Sequence, residues 1–176
     1  MSFKQFFCLA SLALLLALSL GVNAMNHEKI RITLTPELLK DNTGLVYIGY
    51  PVDKQVIGHY LAQLEAHVGQ KKYKRLRHNQ AARDHDSFHI TLINPFEHPD
   101  VKSINMKDIP PIRFEFVGVG QAKNEKSETF FIVANSTKAQ QVRASYQLKN
   151  KDFHVTLGFD KTDVFGVSKG VDALIK

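Results

Sequence analysis

The sequence FHITL at Phe88–Leu92 returns almost unchanged as FHVTL at Phe153–Leu157. Both copies predict a β-strand, because β-branched and aromatic residues favour an extended backbone. Successive side chains of a strand point to opposite faces, so each histidine shares a face with the threonine two positions later. We therefore expect each strand to bury its apolar residues on one face and to present an imidazole and a hydroxyl on the other.

The segments that precede the two copies have a similar order. A strand over 45–50 and a helix from Asp53 to about Val68 precede the first copy. A hairpin formed by 112–116 and 129–133, then a helix from Ser136 to about Leu148, precede the second. Apolar residues at i, i+3, i+4 and i+7 indicate the helices, and Asp and Ser are good helix caps. The order predicts a mixed α+β protein with two similar lobes, and a cleft would lie between the lobes if they face each other.

The segment 71–86, KKYKRLRHNQAARDHD, is basic and polar and is predicted to be a long exposed loop. Loops of this length are uncommon in compact domains and often have a function. If the loop borders the cleft, Tyr73 could stack on a base, and Lys74 and Arg77 could bind phosphate. The alternative is a solvated loop that plays no part in binding.

The first 24 residues are predicted to be a secretory signal peptide. Lys4 precedes an apolar run over 6–20, and Val22–Ala24 supplies small residues for cleavage after Ala24. The run is shorter than the roughly 20 residues that cross a bilayer, which disfavours a membrane anchor. The single cysteine, Cys8, lies in this segment. We therefore expect an exported protein, periplasmic or secreted, in which residues 25–176 form one domain without disulfides or a thiol nucleophile.

The repeated motif indicates acid–base chemistry if both strands face one cleft. Histidine titrates near neutrality, so one ring can take a proton from a nucleophile while the other gives a proton to a leaving oxygen. Threonine hydroxyls can donate hydrogen bonds to phosphate oxygens, where charge accumulates. A formal net charge of +6 suits an anionic ligand, although on its own it fits an ordinary solvated surface better. The residues that would cleave a phosphate ester in this way, without metal or cofactor, are His89, Thr91, His154 and Thr156.

At these residues the sequence resembles the two-histidine (2H) phosphoesterase superfamily, which includes 2'-5' RNA ligase-like proteins and cyclic nucleotide phosphodiesterases. Its signature is two His-x-[Thr/Ser] motifs, each followed by a hydrophobic residue, here His89–Leu92 and His154–Leu157. LVYIGYPVDKQVIGHYLAQL, at 45–64, is similar to the family's opening strand, proline and helix. IRFEFVGVGQAKNEKSETFFIVAN, at 112–135, is similar to its central hairpin.

The resemblance implies a bilobal fold with two antiparallel-rich sheets and flanking helices around a pseudo-twofold cleft. It also implies metal-independent attack on phosphodiesters, commonly the 2',3'-cyclic phosphates of nucleotides or RNA ends. By position, the two histidines match the catalytic pair and the two threonines match the phosphate-binding hydroxyls. Many members carry a basic residue shortly after the second motif. Here Lys161 is the nearest cation, and we expect it to join Tyr73, Lys74 and Arg77 as a substrate contact.

Two other functions fit the same residues. A non-catalytic protein could use the cleft to bind phosphorylated ligands. A metal-dependent hydrolase could use His85, Asp86 and His89 as ligands, since zinc enzymes bind metal through histidine and carboxylate. Positions 85 and 89 would lie far apart along a strand, which disfavours this set.

Overall fold

The computed structural model describes residues 29–176, so the predicted signal peptide lies outside the described residues. This part of the chain forms one seven-stranded antiparallel sheet and three α-helices, joined by turns and short 3-10 segments. The strands are β1 Ile30–Leu34, β2 Glu37–Lys40, β3 Val46–Val52, β4 Phe88–Ile93, β5 Ile112–Lys123, β6 Glu128–Asn135 and β7 Phe153–Phe159. The helices are α1 Gly58–Val68, α2 Gln70–Asp84 and α3 Thr137–Ser145.

The two strands that carry the repeated motif are neighbours at the centre of the sheet. The strand order is β1-β5-β6-β7-β4-β3-β2, and Ile90 of β4 pairs with Val155 of β7. These residues hold the same position in the two copies, so their antiparallel pairing creates a local twofold axis between the strands. The register places the histidine of each strand opposite the threonine of the other, on a shared face.

The other face of the same strands is the main hydrophobic core. Phe88 and Ile90 of β4 and Phe153 and Val155 of β7 are all buried in it. Helices α1 and α2 contribute Tyr60, Leu61, Leu64 and Leu76 to this core. The alternation predicted for FHITL agrees with the burial of β4, whereas in β7 the cavity-facing Thr156 is buried as well.

The prediction of a mixed α+β fold rich in antiparallel strands is confirmed. The two predicted sheets are instead one continuous sheet, because β4 and β7 pair directly across the centre. The hairpin formed by β5 and β6 is also observed. Ser136 caps α3 as expected, with its hydroxyl accepting from the backbone N–H of Ala139 at 3.2 Å, although the helix ends at Ser145.

The prediction of a loop over 71–86 is wrong, because most of this segment is helix α2. Its lysines, arginines, glutamines and alanines are strong helix formers. Only one narrow face is buried, and it consists of Leu76, Gln80 and Asp84 at intervals of four. Because two of these three residues are polar, the buried face leaves no hydrophobic periodicity in the sequence.

Helix α1 starts later than predicted. Asp53 accepts a hydrogen bond from the backbone N–H of Gln55 at 2.7 Å and so caps a turn, and the helix itself begins at Gly58. Within residues 29–176, no helix has both the length and the apolar character needed to cross a membrane.

Candidate active site

A cavity of about 640 Å³ lies over the centre of the sheet, on the face that carries the histidines. His89, Thr91, His154 and Thr156 all line it. The antiparallel pairing of β4 with β7 brings these four side chains together from positions more than sixty residues apart in the sequence. Further lining residues come from the segment 41–47, from the end of α2, from the segment that follows β4, and from the loops that precede and follow β7.

The ring of His154 is oriented by its backbone neighbour. Its Nδ1 lies 2.9 Å from the carbonyl oxygen of Asp152. A carbonyl can only accept a hydrogen bond, so Nδ1 carries the proton and Nε2 presents a lone pair. Nζ of Lys169 lies 3.4 Å from this Nε2. Burial and then the charge of Lys169 lower the pKa of His154 to about 3, so the ring is neutral at pH 7 and can accept a proton.

His89 has a different environment. Its Nδ1 lies 3.4 Å from the hydroxyl oxygen of Tyr47, with the ring centroids 5.0 Å apart. Burial raises the pKa of Tyr47, which therefore keeps its proton and can either donate to Nδ1 or accept from it. Burial lowers the pKa of His89, while the charge of Asp84 opposes this shift. The side chain beside the His89 ring is thus a hydroxyl, whereas the side chain beside the His154 ring is an ammonium group.

A chain of ion pairs forms one wall of the cavity. Nζ of Lys169 lies 2.8 Å from Asp163, and Arg83 contacts the other oxygen of Asp163 at 2.8 Å. Arg83 also forms two hydrogen bonds to Asp84, both of 2.7 Å. Burial raises the pKa of Asp163, but the charges of Lys169 and Arg83 outweigh it and hold that pKa at about 2. Asp163 is therefore ionised near neutral pH and fixes Lys169 beside His154.

A second cluster supplies positive charge where β4 ends and β7 begins. Nζ of Lys151 lies 3.1 Å from Glu97, and Arg143 contacts the same carboxylate at 2.8 Å. Arg143 is only 2% exposed, so its charge is fixed in place. Two cations share one carboxylate here, which leaves a net positive charge. Lys151, which lines the cavity, can therefore attract an anion.

A comparison with known protein families assigns this domain. Residues 53–165 match the family model described as the Swiss Army Knife 2H phosphoesterase domain, and this range is more than half of the chain and contains both motifs. The chain belongs to the 2H phosphoesterase superfamily. Neither the curated proteins nor the solved structures give a match. The matched range does not include Tyr47 or Lys169, the side chains that contact the rings of His89 and His154.

The other predicted substrate contacts do not line the cavity. Tyr73, Lys74 and Arg77 lie on α2, which packs against the core face of the sheet. The guanidinium of Arg77 lies 4.4 Å from the ring centroid of Phe88 and donates to the backbone carbonyl of β7 at 2.6 Å. Tyr73 packs against the main core and Lys74 is exposed. Lys161 is also exposed, in the turn that follows β7.

The residues proposed for the metal-dependent alternative are separated in the structure. Asp86 forms ion pairs with Arg77 at 3.1 Å and Lys54 at 3.5 Å and does not line the cavity. His85 ends α2 in the left-handed conformation, with φ of 55°. In the part of the chain that the structure describes, no group of three or more His, Cys, Asp or Glu side chains is placed to hold a metal ion.

Several lining residues were missed by sequence reasoning. The sequence did not single out Tyr47, Arg83, Lys151 or Lys169, because only tertiary packing brings these side chains to the histidines. The sequence did offer one signal for two further lining residues. A phenylalanine, Phe96 or Phe165, follows each strand that carries His-x-Thr. Both of these phenylalanines line the cavity.

Proposed function

We propose that this 2H protein is a metal-independent phosphodiesterase that hydrolyses nucleotide-like or RNA-end substrates, with 2',3'-cyclic phosphates as the simplest members of that class. The observation that supports this most directly is that His89, Thr91, His154 and Thr156 line one cavity around a local twofold axis. Two imidazoles on opposite sides of one phosphorus can act as base and acid in the same reaction. We infer that this cavity takes the place of the predicted cleft.

The surroundings of the two rings support different roles. His154 acts as the general base, because its Nδ1 proton is bound to a carbonyl and its Nε2 carries the lone pair. His89 acts as the general acid: burial lowers its pKa, but the charges of Asp84 and Asp163 oppose this shift, whereas at His154 the charges of Lys169 and Lys151 add to the effect of burial. A bound phosphodiester anion would also favour the protonated form of His89.

The reaction then follows from these positions. His154 removes a proton from water, and the water oxygen bonds to phosphorus. The P–O bond on the opposite side breaks, and His89 gives a proton to the leaving oxygen. Thr91 and Thr156 donate hydrogen bonds to the non-bridging oxygens, and Lys169 offsets their negative charge. A cyclic phosphate is opened to a monoester by this sequence.

Hydrolysis of adenosine 2',3'-cyclic phosphate in the presence of EDTA tests the proposal. We expect turnover to a monoester at an unchanged rate when the chelator is added. Activity that disappears with EDTA and returns with a divalent cation would identify a metal-dependent hydrolase. Saturable binding of the nucleotide without any turnover would identify a non-catalytic binder.

We also propose that the protein is exported and cleaved after Ala24. The support is the sequence of residues 1–24, in which a cation precedes an apolar run and small residues follow it. Expression of the full chain in a bacterial host, followed by fractionation and intact mass measurement, should find a product that starts at Met25 outside the cytoplasm. A full-length cytoplasmic product would contradict this part of the proposal.

A further inference from the structure

A second cavity, of about 450 Å³, lies at the edge of the sheet and shares no lining residue with the cavity that contains the histidines. Its walls come from β1, from the first part of β5, and from the turn that leads from β6 into α3. Three cations line it, Arg31, Arg113 and Lys138, together with the carboxylate of Glu115. These side chains leave two positive charges uncompensated.

The carboxylate of Glu115 is already occupied by cations of β1 and of the residue before it. Nε of Arg31 donates to one carboxylate oxygen at 2.8 Å, and Nζ of Lys29 lies 3.4 Å from the other. Arg113 and Lys138 are exposed, and neither forms an ion pair in the part of the chain that the structure describes. Two cations without a carboxylate partner therefore line the same cavity.

The second cavity lies on the face of the sheet that carries the histidines. His154 pairs with Val133, and Asn135 lies two residues further along β6 on the same face. Asn135 pairs with Glu115, which in turn pairs with Arg31. Three strand spacings separate β1 from β7, which is about 14 Å across the sheet. One phosphate group cannot contact both cavities, so the second cavity needs an anion of its own.

We propose that the second cavity binds the phosphate group of a phosphate monoester. This inference goes beyond the proposed function, because the site takes no part in the hydrolysis. A phosphate monoester carries a charge of about −1.5 to −2 near pH 7, which matches the two uncompensated positive charges. The guanidinium of Arg113 can donate two parallel hydrogen bonds to such a group, and Asn135 and Thr137 add neutral polar groups to the wall. A carboxylate or a phosphodiester carries one negative charge and would leave one cation uncompensated.

An NMR titration of the backbone amides with 2-glycerophosphate, a phosphate monoester, tests the proposal. We expect saturable shifts at Arg113 and at 135–138. Dimethyl phosphate, a diester with one negative charge, should bind there at least about threefold more weakly. Shifts confined to the histidine cavity, at residues such as Thr91 and Thr156, would overturn the proposal. So would a glutamate peptide that binds the second cavity more tightly than the monoester, which would identify an acidic protein partner.

A charge-matched pair of double variants separates this site from a general effect of net charge. Arg113→Gln combined with Lys138→Gln should reduce the affinity for 2-glycerophosphate at least about 10-fold, because two charged hydrogen-bond donors are lost. Lys126→Gln combined with Lys149→Gln is the control, since it removes the same charge from exposed residues that line neither cavity. Equal losses of affinity in the two double variants would overturn the proposal.

A free nucleotide and the end of a nucleic acid chain can present the same monoester, and two further ligands separate these sources. Adenosine 5'-monophosphate and a 5'-phosphorylated hexa-adenylate are titrated against a variant with both His89→Ala and His154→Ala, which cannot cleave the chain. Tighter binding of the hexa-adenylate at the second cavity supports the site with a chain end as its ligand. Equal or weaker binding supports it with a free ligand, and no shift there with either compound would overturn it. Because these titrations need no turnover, their result is independent of whether the wild-type protein hydrolyses cyclic nucleotides.

Discussion

His89 and His154 hold equivalent positions in a repeated motif, but their neighbours differ. The twofold axis between the strands relates the motifs, while Tyr47 and Lys169 come from segments that this axis does not relate. A symmetric pair of imidazoles cannot by itself distinguish acid from base. The hydroxyl beside one ring and the ammonium beside the other supply that distinction.

Both histidines are expected to be essential. His89→Ala and His154→Ala should each reduce kcat/KM for a cyclic nucleotide by at least about 100-fold, because each removes one positioned proton transfer. Circular dichroism should show that both variants keep the wild-type fold. His78→Ala is the matched control, since His78 is exposed on α2 and lies outside the cavity. Near-normal turnover by either active-site variant would rule out the paired roles.

The pH profile should show an acidic optimum. The base must be neutral, and the pKa of His154 is about 3, so the rate rises with pH only in strong acid. The acid must be protonated, and burial lowers the pKa of His89, so the rate falls as pH rises through a value below the usual 6.5. The pH dependence of kcat/KM reports the pKa values of the acid and base in the free enzyme. We expect kcat/KM to be higher at about pH 5 than at about pH 8.

Lys169→Gln tests the cause of this profile. Removing the ammonium relieves part of the depression of the His154 pKa, so the acidic limb should move to higher pH. Lys161→Gln should leave the profile unchanged, because Lys161 does not line the cavity. A wild-type rate that rises steadily from about pH 5 to about pH 8 would contradict the assigned roles.

At the scale of the elements, the strands were easier to predict than helix α2. FHITL and FHVTL follow a strict alternation that is typical of a half-buried strand, and both form strands, β4 with alternating burial over these five residues and β7 with Thr156 buried in addition. The buried face of α2 contains Gln80 and Asp84, which hydrogen-bond to each other at 3.0 Å. Such burial depends on tertiary partners, so hydrophobic periodicity could not reveal it. Tyr73, Lys74 and Arg77, which were expected to bind substrate if this segment borders the cleft, do not line the cavity.

The contact between α2 and β7 leaves no room for a side chain at Gly158. A Cβ atom there would lie 2.8 Å from Cβ of Leu76 and 2.9 Å from its carbonyl oxygen. Gly158→Ala should therefore destabilise the fold by about 1–3 kcal/mol, as expected for overpacking. Gly58→Ala, where a Cβ would meet nothing within 4 Å, should be neutral or stabilising by up to about 1 kcal/mol. Guanidinium unfolding of both variants measures the difference, and equal stabilities would show that α2 can move away from β7.

At the scale of the whole molecule, the sheet explains how the two motifs meet. The sequence indicated two lobes with a cleft between them, and the family match supports a 2H domain. A pattern of strands does not specify which strands pair, so the sequence could not show that β4 and β7 are neighbours in one sheet. The sequence also could not show that Lys169 contacts His154, because this contact depends on the path of the chain after β7, which lines the cavity.

If both halves act on one phosphate, a crystal structure with a bound nucleoside monophosphate product should show it. We expect one phosphate group within about 3.2 Å of a ring nitrogen of His89 and of His154, and of the hydroxyls of Thr91 and Thr156. A phosphate that contacts only one of the two motifs, or that binds outside this cavity, would rule out a shared site.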